Sequence, residues 1–398
     1  MKRISFFILA PSLLMLSLLC VHIGTAQGYG SPLTFQGLDR FSAQSAASRA
    51  KGGLVASQQG DVGLMFLNPA TLQALQGLQI SVGRLQQTSH LEQIQQYGPL
   101  SYYSNFSLLM EGLTGLVPTP AYDTVDHAPR NGADTVQRPF DEIGPNWTAT
   151  KDKSLPVQAF IAAPFTVNDM KFSVGIGVSS YADLDWFFEN NNVLSPSFLT
   201  VVPLPTPNPK NNSDSSSFVA QWYQSRQQRT GSIYGYGGAI SLLASDGFSV
   251  GASGVVLSGN SNDKESRVER GRLRFYQSFF RVESVYYQVS KVGTSDYSGL
   301  ELTLSGIYSG RNIRAGLTVK PPTTITRKFH SQVTTDTTGS SVSSTVSGED
   351  KMTIPWRGTF GFSLNLRENF TLGVEYEVRA FASAQYQSPS GVKTHPWL

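Results

Sequence analysis

From Phe370 to Arg379 the chain alternates strictly. Phe370, Leu372, Val374, Tyr376 and Val378 fall on one side, and Thr371, Gly373, Glu375, Glu377 and Arg379 on the other. A period of two marks a β-strand with unlike faces. The same pattern runs over Phe172 to Ser179, Phe248 to Ser253, Leu300 to Ser305, Ile313 to Lys320 and Thr359 to Leu366. Weaker alternation covers Leu78 to Leu85, Pro156 to Phe165 and Ser232 to Leu243. After Leu75 the rule predicts about nine strands, each near the ~9–11 residues a tilted strand needs to cross a bilayer. Two architectures fit alternation alone: a soluble sandwich that buries the apolar face, or a membrane barrel that turns it to lipid.

The connections discriminate. Tight turns fall at Val167-Asn168-Asp169-Met170, Ser245-Asp246-Gly247, Ser309-Gly310-Arg311-Asn312 and Arg367-Glu368-Asn369. Between them lie long polar stretches, Gln86 to Leu155, Asp183 to Thr230, Gly259 to Tyr297 and Pro321 to Pro355, read as loops. Short turns alternating with long loops are the rhythm of an outer-membrane barrel; sandwiches rarely carry structureless loops that long. Asn211 to Ser217 and Gln332 to Gly348 are low in complexity and read as solvated loop tips. Ser104 to Val117, which holds Leu109, Met110 and Leu113, reads either as a short amphipathic helix within a loop or as a strand continuation.

Composition supports the all-β reading. The 398 residues are 15% charged, against about 25% in soluble proteins, and Gly, Ser, Thr, Tyr and Phe fill the difference. The net charge is +3 with the basic residues scattered, which excludes nucleic acid as a partner. Lys2 and Arg3 precede an apolar run from Ile4 to Val21, followed by Gly24-Thr25-Ala26. This reads as a secretory signal peptide cleaved after Ala26. Cys20, the only cysteine, lies inside that run, and Leu19 before it argues against lipidation. No later segment reaches ~18 uninterrupted apolar residues, so an integral protein of this composition has to be a closed barrel.

Little chemistry is visible. His22, His90, His127, His330 and His395 are far apart and pair with no ligand-spaced Cys or acid, so no metal or other cofactor is expected. The one Gly-x-Ser-x-Gly match, Gly247 to Gly251, lies in the alternating Phe248 to Ser253 strand pattern rather than at a strand-to-helix elbow, and the chain reads as a non-enzyme. Gly235, Gly237 and Gly238 lie in a strand pattern and mark close packing or a weak point in a wall. Trp186, Phe187 and Phe188 fit an interfacial aromatic girdle, or alternatively, with Leu109, Met110 and Leu113, a landing patch for an apolar ligand. Asp263 to Arg270 mixes both signs and reads as a solvated strand extension or a loop facing lipopolysaccharide.

Ser48 to Leu72, SRAKGGLVASQQGDVGLMFLNPATL, resembles the N-terminal hatch of the FadL/TodX-type outer-membrane transporters. There a Gly-rich lead runs into Asn-Pro-Ala just before the first strand, here Asn68, Pro69 and Ala70. Thr359 to Tyr376 and Val319 to Thr323 look like late hairpins of such proteins. The resemblance implies a transmembrane antiparallel β-barrel, about 14 strands if complete, whose lumen is plugged by residues 27–74. Asn68, Pro69 and Ala70 would carry the hatch role. Hydrophobic small molecules, fatty acids or hydrocarbons, would enter from outside and leave sideways into the membrane. Outer-membrane lipid and lipopolysaccharide would surround the barrel. Secretion-associated barrels of the type IX kind share the lead and the tripeptide, so a protein-binding shuttle is the first alternative; a general porin is the second. The chain stops at Leu398 soon after a strand, which reads as a barrel, residues 75–398, lacking its last strands.

Overall fold

The computed structural model describes residues 33–38, 46–94, 117–118, 135–136, 146–195, 218–275, 280–283, 286–367 and 370–395. The proposed signal peptide and Leu109, Met110 and Leu113 lie outside them. Among the described residues no helix is long and apolar enough to cross a membrane.

Among the described residues the strands form one antiparallel, 15-stranded sheet and a separate two-stranded pair, Val117–Pro118 with Thr135–Val136. We number its main members β1 (Gln79–Gln93), β2 (Trp147–Val167), β3 (Met170–Asp183), β4 (Trp186–Ser195), β5 (Phe218–Ser245), β6 (Phe248–Phe275), β7 (Tyr287–Ser309), β8 (Ile313–Lys320), β9 (Thr323–Thr337), β10 (Ser340–Ile354), β11 (Arg357–Arg367), β12 (Phe370–Arg379) and β13 (Gln385–Gln387). Several are halves of one long strand. β3 and β4 both pair with β5. β8 and β9 both pair with β7 and are divided at Pro321-Pro322. β10 and β11 divide at Pro355 beside that break. Proline has no N–H to donate, so ladders interrupt where it stands.

The hairpins close tightly at one end. Between β2 and β3 the register reaches Val167↔Met170, and Asn168 and Asp169 take the positive φ values, 48° and 64°, that a two-residue hairpin turn demands.

Which face is inside is now settled. Val174, Ile176, Val256, Leu300, Leu302, Leu304, Leu317, Phe360, Leu372 and Val374 are exposed. Their neighbours Ser173, Ser249, Ser253, Thr303, Thr318, Thr359 and Ser363 are buried. This inverts a soluble sandwich. A continuous apolar skin over adjacent strands is intolerable in water and is the lipid-facing band of a membrane barrel.

The polar inner face is buried because the N-terminal segment fills the lumen. Its Ala46–Ala50 helix leads through two 3-10 turns, Val62–Leu64 and Pro69–Ala74, to β1. Small wall residues make room for it. A Cβ on Gly316 would lie 1.7 Å from the Ala56 carbonyl oxygen, and one on Gly251 2.4 Å from the Ala70 nitrogen. Leu54 meets Gly373 on β12, and Met65 meets Gly175 on β3, so the sheet curls around the segment from both sides.

Three stretches read as loops are strand. β9 and β10 pair through Thr337↔Ser340, so Gln332 to Gly348 forms a long hairpin closed by Gly339 at φ 83°. β6 and β7 pair through most of Gly259 to Tyr297, and β4 and β5 occupy much of Asp183 to Thr230. Asp263 to Arg270 is strand, but Asp263, Glu269 and Arg270 are buried, which corrects the solvated reading.

Candidate functional site: the plugged lumen

The lowest layer, nearest the short turns, is the hatch. Asn68 is fully buried. Its Nδ2 donates to the carbonyls of Val55 and Ala56, both at 3.0 Å. The N–H groups of the same two residues donate to Glu375 Oε2 on β12, both at 2.7 Å. Two side chains thus satisfy four backbone groups of a segment that belongs to no ladder, as burial requires. Pro69 begins the 3-10 turn, where a missing N–H costs nothing. The Ala70 N–H donates to Ser305 Oγ at 2.8 Å, and Thr303 Oγ1 donates to the Phe66 carbonyl at 3.0 Å. Gln73 Nε2 reaches the carbonyls of Lys171 and Ser241. The structure therefore brings Asn68, Pro69 and Ala70 together in the plug.

Above the hatch, Glu301 accepts from Tyr181 Oη at 2.9 Å and Arg357 Nη2 at 2.5 Å, and also pairs with Lys320. Tyr181 is on β3 and Glu301 on β7, which are not neighbours in the sheet, so this buried cluster ties well-separated walls. With it lies an inward apolar belt: Ile233, Val255, Leu257, Ile325, Met352 and Ile354. The alternation read from the sequence gave no sign of this belt. Phe35 and Leu38 of the N-terminal strap, residues 33–38, pack into the same cluster as the belt and the hatch residues Val62, Met65 and Phe66.

A third feature is a slot in the wall. β2 and β3 pair only from Gln158↔Ser179 to Val167↔Met170. Beyond Gln158, β2 pairs with β1 alone, while β4 pairs with β5 alone, among the described residues. Side chains span the interval instead. Lys153 bonds both Asp183 and Asp185, the latter at 3.1 Å. Trp147 Nε1 donates to the Glu189 carbonyl at 2.8 Å, and Lys151 Nζ reaches the Trp186 carbonyl at 3.4 Å. Buried Leu184 lies at the strand break, between Asp183 and Asp185.

Trp186, Phe187 and Phe188 sit on β4, half-buried. Phe187 meets Trp147 edge-on at 5.1 Å, and Lys151 and Arg226 lie over its ring. Gly235, Gly237 and Gly238 are laddered on both sides, to β3 and β6, so they are no break in the wall. No cluster of His, Cys, Asp and Glu able to hold a metal occurs among the described residues.

An apolar outer skin, a small-and-polar inner face and a folded N-terminal plug define an outer-membrane-type β-barrel with an occupied lumen. No family model and no curated protein matches the chain. Two solved structures are similar to it. One is a TodX mutant described as a monoaromatic hydrocarbon channel, at 15% identity and TM-score 0.48, covering 89% of this chain and 76% of that one. The other is the Pseudomonas putida toluene transporter TodX, at 13% identity and TM-score 0.42, covering 88% and 74%.

Proposed function

We propose that this chain is a passive outer-membrane channel for hydrophobic small molecules, long-chain fatty acids or hydrocarbons, gated by its hatch and discharging sideways. The observation that carries the reading is the inward apolar belt directly above a buried plug. An open porin for polar solutes needs a water-filled passage; here the lumen is filled, and an apolar belt lies beside the buried Glu301, Lys320 and Arg357 cluster. Ligand binding in proteins favours such apolar, enclosed surfaces with a few polar groups.

The slot beside β3 and β4 is the exit in this proposal. A molecule resting on the belt reaches lipid there without crossing a backbone ladder. Trp147 and Phe187 form the apolar lip of that exit, with Trp186 and Phe188 beside it on β4. Asn68, Pro69 and Ala70 act by holding the plug shut below. Movement needs only binding and a concentration gradient.

The test is lipid extraction and mass spectrometry on the detergent-purified full chain and on an Asn68→Ala/Pro69→Ala variant, with uptake measured in cells. Bound fatty acid or hydrocarbon, with uptake altered in the variant, supports the proposal. An empty protein with unchanged uptake overturns it.

A further inference from the structure

The strap is held by contacts that the wall prepares without it. Arg229 on β5 grips Asp263 on β6 with Nε at 2.7 Å and Nη2 at 2.9 Å. Asp263 also accepts from Ser261 and Ser295. Arg327 on β9 grips Asp350 on β10 through Nε at 2.9 Å and Nη2 at 2.5 Å, and Tyr386 Oη donates to the same carboxylate at 3.1 Å. Both guanidinium groups are buried. A fork locked on a carboxylate by two donors has its remaining corner fixed in space.

Those remaining corners meet peptide groups. Arg229 Nη1 donates to the Thr34 carbonyl at 2.9 Å, and Arg327 Nη1 to the Leu33 carbonyl at 2.7 Å. Glu265, held by Lys291 at 3.0 Å, accepts the Leu33 N–H at 3.1 Å. Phe35 then places its ring edge-on against Tyr297 and Tyr386, at 6.2 and 6.1 Å, with Arg327 over its face at 5.7 Å. Every polar wall contact in this set is to backbone. Two fixed donors, one fixed acceptor and an aromatic cage read an amide followed by an aromatic ring, whatever molecule carries them.

We propose that the upper lumen is a recognition site for amide-bearing aromatic molecules of short-peptide size, and that residues 33–38 are its resident, displaceable occupant. This is a different ligand chemistry from the hydrocarbon cargo above, and the site lies where its occupant covers the apolar belt. A pure hydrocarbon offers nothing to Glu265, Arg229 or Arg327.

The probe is the acetylated, amidated hexapeptide Leu-Thr-Phe-Gln-Gly-Leu, the sequence of residues 33–38. Two full-chain variants unseat the resident copy. Phe35→Ala removes the ring, and Gly37→Ala sets a Cβ 2.6 Å from the Asp183 carbonyl oxygen at a φ of 90°. Neither alters a wall residue. In both, the probe binds saturably and about ten-fold or more tighter than to the unaltered chain, from the burial of one aromatic ring. A probe with Ala for Phe binds about ten-fold weaker by the same reasoning. In the unaltered chain, excess probe raises hydrogen exchange at residues 33–38, a readout that needs no variant. Folded variants that do not bind the probe, equal binding of the Phe and Ala probes, or unchanged exchange under excess probe overturn the inference. Hydrocarbon uptake by the unaltered chain is scored separately. Probe failure with uptake intact removes this site alone, and uptake failure with probe binding intact removes the channel alone.

Discussion

Asn68→Ala isolates what holds the plug. The substitution deletes the Nδ2 group that donates to the Val55 and Ala56 carbonyls at 3.0 Å each. Val55 keeps only a 3.3 Å bond from the Gln58 N–H. The Ala56 carbonyl loses its donor in a buried setting. A buried acceptor left unpaired costs about 1–3 kcal/mol, and weakening the second adds up to about 1 kcal/mol. The plug should therefore open more readily by about 1–4 kcal/mol. At a factor of ten per ~1.4 kcal/mol, local opening becomes at least about five-fold more frequent. Hydrogen–deuterium exchange read by mass spectrometry on peptides spanning residues 54–72 measures this directly. Peptides from β6 serve as the control, since the wall ladder does not depend on Asn68. A change below about three-fold in the hatch, or equal acceleration in hatch and wall, would refute the claim that Asn68 fastens the plug.

Other substitutions probe other layers. Glu375→Ala removes the acceptor for two N–H groups from the opposite side, and should accelerate hatch exchange to a similar extent; unchanged exchange would separate Glu375 from the plug. Gly316→Val forces a side chain into the Ala56 carbonyl, so the barrel should fold with the hatch expelled and open to protease at residues 46–75; a protected hatch contradicts the packing. Leu302→Arg places a charge on the exposed outer face, and should lower refolding stability in bilayers by about 2–4 kcal/mol if Leu302 lies near the membrane midplane; no loss would place that face in water. Leu257→Gln sets an amide in the apolar belt, and should reduce hydrocarbon retained through purification several-fold with little change in hatch exchange; equal retention would move the binding site elsewhere.

The strands were legible where their two faces differ. Phe370 to Arg379 and Leu300 to Ser305 announce themselves by alternation, and the small residues on their polar face are small because a plug lies against them. The β9–β10 hairpin gave no such signal. From Gln332 to Gly348 both faces carry Ser and Thr, and most of those side chains are exposed, so no apolar side marks the period. The Gly-rich lead and Asn68-Pro69-Ala70 drew attention to a segment that packs inside the sheet, but gave no sign of Glu375, which reads simply as the polar side of a strand. Arg229, Asp263, Arg327 and Asp350 were hidden for a related reason. Charged residues at strand phase look solvated until the register is known, and each pair here joins two consecutive strands at positions 34 and 23 residues apart. The slot was unreadable because it is an absence of pairing, among the described residues, between two good strands. Lys153 and Asp183 meet only because the ladder stops below them.

The measurement that bears most directly on the central claim is uptake through a slot that can be shut. Lys153→Cys and Asp183→Cys, joined by a short reducible bis-thiosulfonate cross-linker, bind β2 to β3 across the gap. Cells expressing the cross-linked chain should stop taking up radiolabelled long-chain fatty acid and monoaromatic hydrocarbon, and resume when the link is reduced. Uptake that continues unchanged with the slot cross-linked would contradict the claim.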